Sequence, residues 1–204
     1  MQFNYYGPPS PGSEWSEFRN LPNLAAFSYT RANMKWLILI VGGIVLLVGL
    51  VAAIGAMLPR DHHATRKARY HVAPDALFAV LMGPPDWRTG VTSFAVLPEQ
   101  DGRKRWWEQD THGQKITYEL VEAKPPERLV TRIAGAGLPF GGTWTFEIAP
   151  VAEGGSEVRI SEDGEVYNVI FRALARFVFG YTSSIEGYLR DLGVKFDDRV
   201  EIEP

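Results

Sequence analysis

The chain contains no cysteine in 204 residues, which excludes disulfides, Cys-based zinc sites and thiol nucleophiles. Its net charge is only −3, which gives no general electrostatic case for a nucleic-acid partner. Neither HExxH nor GxSxG occurs, so zinc-protease and serine-hydrolase readings lack their motifs. The Gly-rich stretch AGAGLPFGG, residues 134–142, has the composition of a phosphate cradle. It leads into a strand pattern rather than a helix, so the helix dipole and amide nest are missing. His62 and His63 are adjacent; neighbours on a strand point to opposite faces and do not chelate together, and they read as juxtamembrane polar residues. No metal and no cofactor is expected.

What the sequence does have is one long apolar run. Trp36 to Leu58, WLILIVGGIVLLVGLVAAIGAML, carries no charge, no Pro and no Asn, Gln, Ser or Thr. It exceeds the roughly 20 residues that cross a bilayer core as a helix. A single-pass membrane helix is expected over residues 34–59, retained rather than cleaved, because the run outlasts a signal-peptide core. Residues 1–33 are rich in Gly, Pro, Ser and Asn and show no sustained period; they are expected to be disordered, with a short helical piece near Leu24 to Tyr29. Met34-Lys35 before the apolar run also has the look of a chain start. The flanking cations (Arg19, Arg31 and Lys35 before; Arg60, Arg66, Lys67 and Arg69 after) nearly balance, with a lean to a cytoplasmic body.

The body, residues 60–198, is one domain in length, followed by a tail at 199–204. Residues 63–72 alternate, with Ala64, Ala68, Tyr70 and Val72 on one face and His63, Thr65, Lys67, Arg69 and His71 on the other, which predicts a strand. Pro74 to Leu81 has Pro at the first position, a Leu77, Val80, Leu81 stripe and Gly83 as a stop, which predicts a helix. Strands are then predicted at 93–97, 103–111, 115–121, 128–133, 143–148 and 157–162, separated by Gly, Pro and Asp signals. From Asn168 to Leu192, apolar residues recur every three or four positions, which predicts one amphipathic helix of about seven turns with a weak point at Gly180. One long helix covers six antiparallel strands only if the sheet curls around it, and such a sheet leaves a cavity.

This order resembles the SRPBCC superfamily, also called START-like or Bet v 1-like, in its polyketide cyclase/dehydrase and lipid transport type. The stretches that carry the resemblance are VAPDALFAVL followed by Trp87, LPFGGTWTFEI, ISEDGEV, and NVIFRALARFVFGYTSSIEGYLRDLG. The resemblance implies an α+β helix-grip fold, here behind a transmembrane helix, and an apolar cavity for lipids, sterols, polyketides or similar molecules. It does not imply one reaction.

By strand phase, Tyr118, Trp144 and Phe146 are candidate cavity-lining residues, and of Trp106 and Trp107 at most one faces inward. Parity also turns Glu162 inward, where it pairs with Arg132 or Arg172, orients a polar group of a ligand, or reaches water at the strand end. Leu138 and Phe140 are expected at the cavity mouth, controlling access. Arg172, Arg176 and Arg190 read as a solvated helix face. His112 beside Gly113 reads as a hairpin residue, with a general-base role alongside Glu108 and Asp110 as the alternative. The expected function is binding or transfer of a hydrophobic small molecule such as a lipid, quinone or polyketide, at the membrane and without chemistry. The first alternative is a cyclase or dehydratase-like enzyme using His112, Glu162 or Tyr118. The second is a structural or regulatory membrane protein whose cavity is vestigial.

Overall fold

The computed structural model describes residues 31–204 except 136 and 153, with side chains from Met34 onward. The expectations for residues 1–30, including the helical piece near Leu24 to Tyr29, lie outside the described residues. The chain divides into two compact units, Met1–Leu46 and Leu47–Pro204. Helix α1, Arg31–Met57, begins in the first and ends in the second. Its Met34–Met57 stretch is long and apolar enough to cross a membrane.

The second unit is an eight-stranded antiparallel sheet with helices on its concave side. Its elements are β1 Asp61–Tyr70, α2 Pro74–Met82, a 3₁₀ turn Pro85–Trp87, β2 Val91–Gln100, β3 Arg103–Asp110, β4 Lys115–Lys124, β5 Arg128–Ile133, β6 Phe140–Pro150, β7 Ser156–Val166, α3 Val169–Leu174, a π turn Ala175–Phe179, α4 Ser183–Lys195 and β8 Ile202–Glu203. The sheet order is β2-β3-β4-β5-β6-β7-β1-β8. Register shifts between Val91 and Ser93, Leu97 and Gln100, and Leu120 and Glu122 are the bulges that bend such a sheet. This is the α+β helix-grip architecture that the order of elements implied.

The core sits where α2 and α4 meet the sheet. Pro74 opens α2 at a position where its missing N–H costs nothing, and Leu77 and Phe78 turn inward. Ile185, Leu189 and Leu192 of α4 are fully buried against Val158 and Ile160 of β7. The Tyr70 hydroxyl donates to the Leu189 carbonyl at 2.9 Å, fastening β1 to α4. Arg66 has the parity of Ala64 and Ala68 on β1, and its Nε donates to Glu186 of α4 at 3.2 Å.

Three elements differ from expectation. The closing helix is not one helix: α3 ends at Leu174, a π turn runs to Phe179, and Gly180 at φ 75° breaks the chain before α4. Apolar spacing of three and four is compatible with both geometries, so the period alone did not separate them. Strand β6 starts at Phe140, three residues early, and takes Gly141 and Gly142 out of the loop. Gly142 lies at φ 144°, and a Cβ there would come 2.6 Å from the Asp163 carbonyl oxygen, so glycine here serves close strand approach rather than a turn. Finally, Ile202–Glu203 of the tail pairs with Ala68 and Lys67 at the edge of β1.

Candidate functional site

Between the sheet and the helices lies a cavity of about 800 Å³. Its walls come from alternate residues of the strands. Ile116, Tyr118 and Leu120 of β4, Trp144 and Phe146 of β6, and Phe140 at the start of β6 all face it. Across from them, α4 contributes Tyr188, whose ring meets Trp87, Trp144 and Phe146 at centroid distances of 5.2, 5.6 and 5.4 Å. Of the expected lining residues, Tyr118, Trp144, Phe146, Phe140 and Glu162 lie on this wall. Leu138 does not: its side chain folds back over Gly135. Trp106 faces the cavity and Trp107 does not.

Among the polar residues that interrupt the apolar lining, two pairs stand out. The first is Arg88, which follows the 3₁₀ turn, with Glu108 of β3. Arg88 Nη1 donates to Glu108 Oε2 at 2.5 Å, and Trp106 Nε1 donates to Glu108 Oε1 at 2.9 Å. The Arg88 guanidinium lies 4.7 Å over the Tyr188 ring. The guanidinium is thus held by a carboxylate and an aromatic face, and the carboxylate by two N–H donors, the condition under which burial of charge is tolerated. Burial raises the Tyr118 and Tyr188 phenols well above their ordinary value, so both are neutral hydroxyls at physiological pH.

The second pair is His62 with Glu162. Their Nε2 and Oε1 atoms stand 3.8 Å apart, too far for a hydrogen bond. His62 Nδ1 and Glu162 Oε2 are both buried without a partner. The imidazole is seated between two surfaces. On one side Tyr181 stacks on it at 4.1 Å and 13°. On the other lies Gly164, directly opposite on β7, where a Cβ would stand well inside contact distance of the ring carbon Cε1. Burial lowers the His62 pKa, with Asp61 opposing. Burial raises the Glu162 pKa, partly offset by the Trp144 indole and the Ser184 hydroxyl. Both shifts are toward the neutral forms, and the imidazole and the carboxyl group both line the cavity.

Glu162 therefore pairs with neither arginine considered from the sequence. Arg132 binds Glu119, and Arg172 donates to backbone carbonyls. His112 is exposed in the β3–β4 turn, its N–H bonded to Asp110 at 2.8 Å, away from the cavity. Sequence reasoning missed His62 and Arg88 as cavity residues and set Glu108 only beside His112. For His62 the signal was present: the parity that puts Ala64, Ala68 and Tyr70 inside puts His62 inside too, once the strand begins at Asp61 rather than at 63. Among the described residues there is no group of three or more His, Asp or Glu able to hold a metal ion.

Comparison with known proteins agrees with this geometry. No curated protein matches the chain. Among solved structures, XoxI from Bacillus cereus is similar at 20% identity, with a TM-score of 0.51 and coverage of 67% of this chain and 96% of that one. The di-domain ARO/CYC BexL from the BE-7585A biosynthetic pathway is similar at 11% identity and TM-score 0.56, over 72% of this chain and 53% of its own. Norcoclaurine synthase from Thalictrum flavum is similar at 10% identity and TM-score 0.52, over 68% and 88%. At these identities the likeness is one of fold. The family model described as polyketide cyclase / dehydrase and lipid transport matches residues 61–192. With curled sheet, gripping helix and aromatic cavity in place, the chain belongs to that family of the SRPBCC superfamily.

Proposed function

We propose that the protein is a membrane-anchored, single-pass domain that binds or transfers a hydrophobic small molecule, of the lipid, quinone or polyketide kind. The observation that supports this most directly is the cavity of about 800 Å³ walled by aromatic and aliphatic side chains. That volume lies in the range of small-molecule pockets, roughly 300–1,000 Å³, where apolar walls supply affinity and a few polar groups supply orientation. It also weighs against the vestigial-cavity alternative, which needs a filled core. Anchoring by α1 would keep the cavity beside a reservoir of apolar ligand and raise its effective concentration. The test is mass spectrometry of small molecules that co-purify with the detergent-extracted full chain, followed by uptake by delipidated protein. Delipidated protein that takes up no lipid, quinone or polyketide would sink this reading.

The His62 and Glu162 pair favours a second reading, in which the cavity also catalyses proton transfer. In its neutral form the imidazole is a base, in its protonated form the carboxyl is an acid, burial shifts each toward that form, and the two face one space. In such a site His62 would take an α-proton from a ketone while Glu162 gives its proton to the carbonyl oxygen, forming the enol. The probe is benzoylacetone in deuterated water. Faster α-hydrogen exchange with wild-type protein, lost in Glu162→Gln while probe binding persists, supports enzyme chemistry. Exchange no faster than in buffer refutes it.

A further inference from the structure

The segment after β7 exposes an unusual amount of apolar surface. Phe171 is 45% exposed, Phe177 68%, Val178 65% and Phe179 60%. Four large side chains within nine residues make a contiguous patch of the kind that marks an interaction surface rather than scattered exposure. The charge pattern around them is one-sided: from Tyr167 to Ile185 there are two arginines, Arg172 and Arg176, and no acidic residue.

The location of this patch narrows its partner. The last turn of α1 and the segment itself belong to the same compact unit. Gly55 is buried against α3 so closely that a Cβ would lie 2.7 Å from the Val169 carbonyl carbon. Arg172 Nη1 donates to the Leu58 carbonyl at 3.1 Å and to the Gly55 carbonyl at 3.3 Å, which also accepts from the Leu58 N–H, so the guanidinium caps the helix end. α3 therefore begins at the depth where the apolar run stops. The eleven residues Val169–Phe179 span about 16 Å at a helical rise.

We infer that Phe171–Phe179 is an interfacial element whose exposed side chains enter the same bilayer that receives α1, with Arg172 and Arg176 at the headgroup level. This rests on reading α1 as a membrane span. Aromatic and aliphatic side chains with flanking cations and no acid are the composition of helices that lie in the interface plane. A soluble protein partner is the weaker fit, because the patch is continuous with a hydrocarbon-seeking helix end. The same residues reach inward: Phe171, Ala175 and Phe179 also line the cavity. The wall of the cavity at α3 and the π turn is then the part that touches lipid. An apolar ligand passes there between acyl chains and cavity without crossing water.

The cysteine-free chain makes the test direct. Single variants Val45→Cys in α1, Val178→Cys in the π turn and Val194→Cys in α4, outside the cavity lining, are labelled with an NBD fluorophore in the otherwise intact chain. Val178 and Val194 are both exposed, so the label disturbs no core. Each protein is reconstituted in vesicles of phosphatidylcholine and phosphatidylglycerol, with and without lipids carrying a doxyl quencher high on the acyl chain. The expected result is about a twofold or greater loss of emission at positions 45 and 178 and none at 194. Quenching at 45 but not at 178 overturns the interfacial assignment while leaving the anchor standing. No quenching at 45 removes the anchor itself, and the inference falls with it. Protection of position 178 by added soluble protein, but not by lipid, assigns the patch to a protein and overturns the inference as well.

Discussion

Gly164→Ala tests the seat of His62. Gly164 lies outside the left-handed region, so alanine meets no backbone strain there. The added Cβ would overlap Cε1 and Nε2 of His62 and stand 3.1 Å from Nδ1. The ring cannot retreat, because Tyr181 is stacked on its other face at 4.1 Å. Overpacking of a confined site costs about 1–3 kcal/mol, and losing the ring stack adds about 0.5–1.5 kcal/mol. Against this, Gly to Ala at an unstrained site gains about 0.4–1 kcal/mol from the unfolded chain. The net expectation is a loss of about 2 kcal/mol, a fall in Tm of several degrees at roughly 2–4 °C per kcal/mol for a chain of this size. In a His62→Ala background the obstacle is gone, and the same Gly164→Ala change should be neutral or slightly stabilising. The assay is thermal unfolding of the four full-length proteins in detergent, followed by circular dichroism, read as a double-mutant cycle. Equal costs for Gly164→Ala in both backgrounds would refute the claim that glycine is there to seat the imidazole.

The remaining expectations concern the core, the buried charges and the α1 junction. Leu189→Ala, at a fully buried position of α4, should cost about 2–5 kcal/mol in denaturant unfolding. Arg88→Met strands the buried Glu108 carboxylate and should cost about 3 kcal/mol, most of it restored by adding Glu108→Leu. Glu162→Gln should gain stability over wild type as pH rises. The folded pKa is raised above the ordinary 4.5, so the carboxyl costs the fold nothing below the unfolded pKa, and its penalty builds as pH rises from there to the folded pKa, above which it is complete. Melting temperatures should therefore coincide near about pH 4 and diverge in favour of Gln by about pH 8. Gly55→Leu should dislodge α3 from the end of α1, read as faster amide exchange at residues 169–174 with α4 unchanged.

Much of this was legible in the chain because strand parity is a strict geometric rule. Tyr118, Trp144, Phe146 and Glu162 were placed on the inner face from alternation alone, and they share one wall. What failed were boundaries and long-range partners. Starting β1 at residue 63 left His62 outside the alternation that governs it. Arg88 and Glu108 are brought together by packing a loop onto β3, and nothing local announces that pairing. Glycines misled in one place: Gly141 and Gly142 carry a loop signature, yet they pair with Glu165 and Gly164 inside the sheet. The π turn is silent in sequence because apolar spacing tolerates an extra residue per turn.

The divided closing helix has a consequence for how the molecule opens. α4 carries three fully buried leucine and isoleucine side chains and a hydrogen bond from Tyr70, whereas α3 and the π turn bury only Ala173. Opening free energies follow such differences: a segment with little buried surface exchanges its amides at small cost, while its neighbour exchanges only with global unfolding. Gly180 separates the two, so the stretch from Val169 to Phe179 can loosen as its own cooperative unit. The domain thus combines a stable frame with a wall of low local stability, and that wall can open without the frame melting.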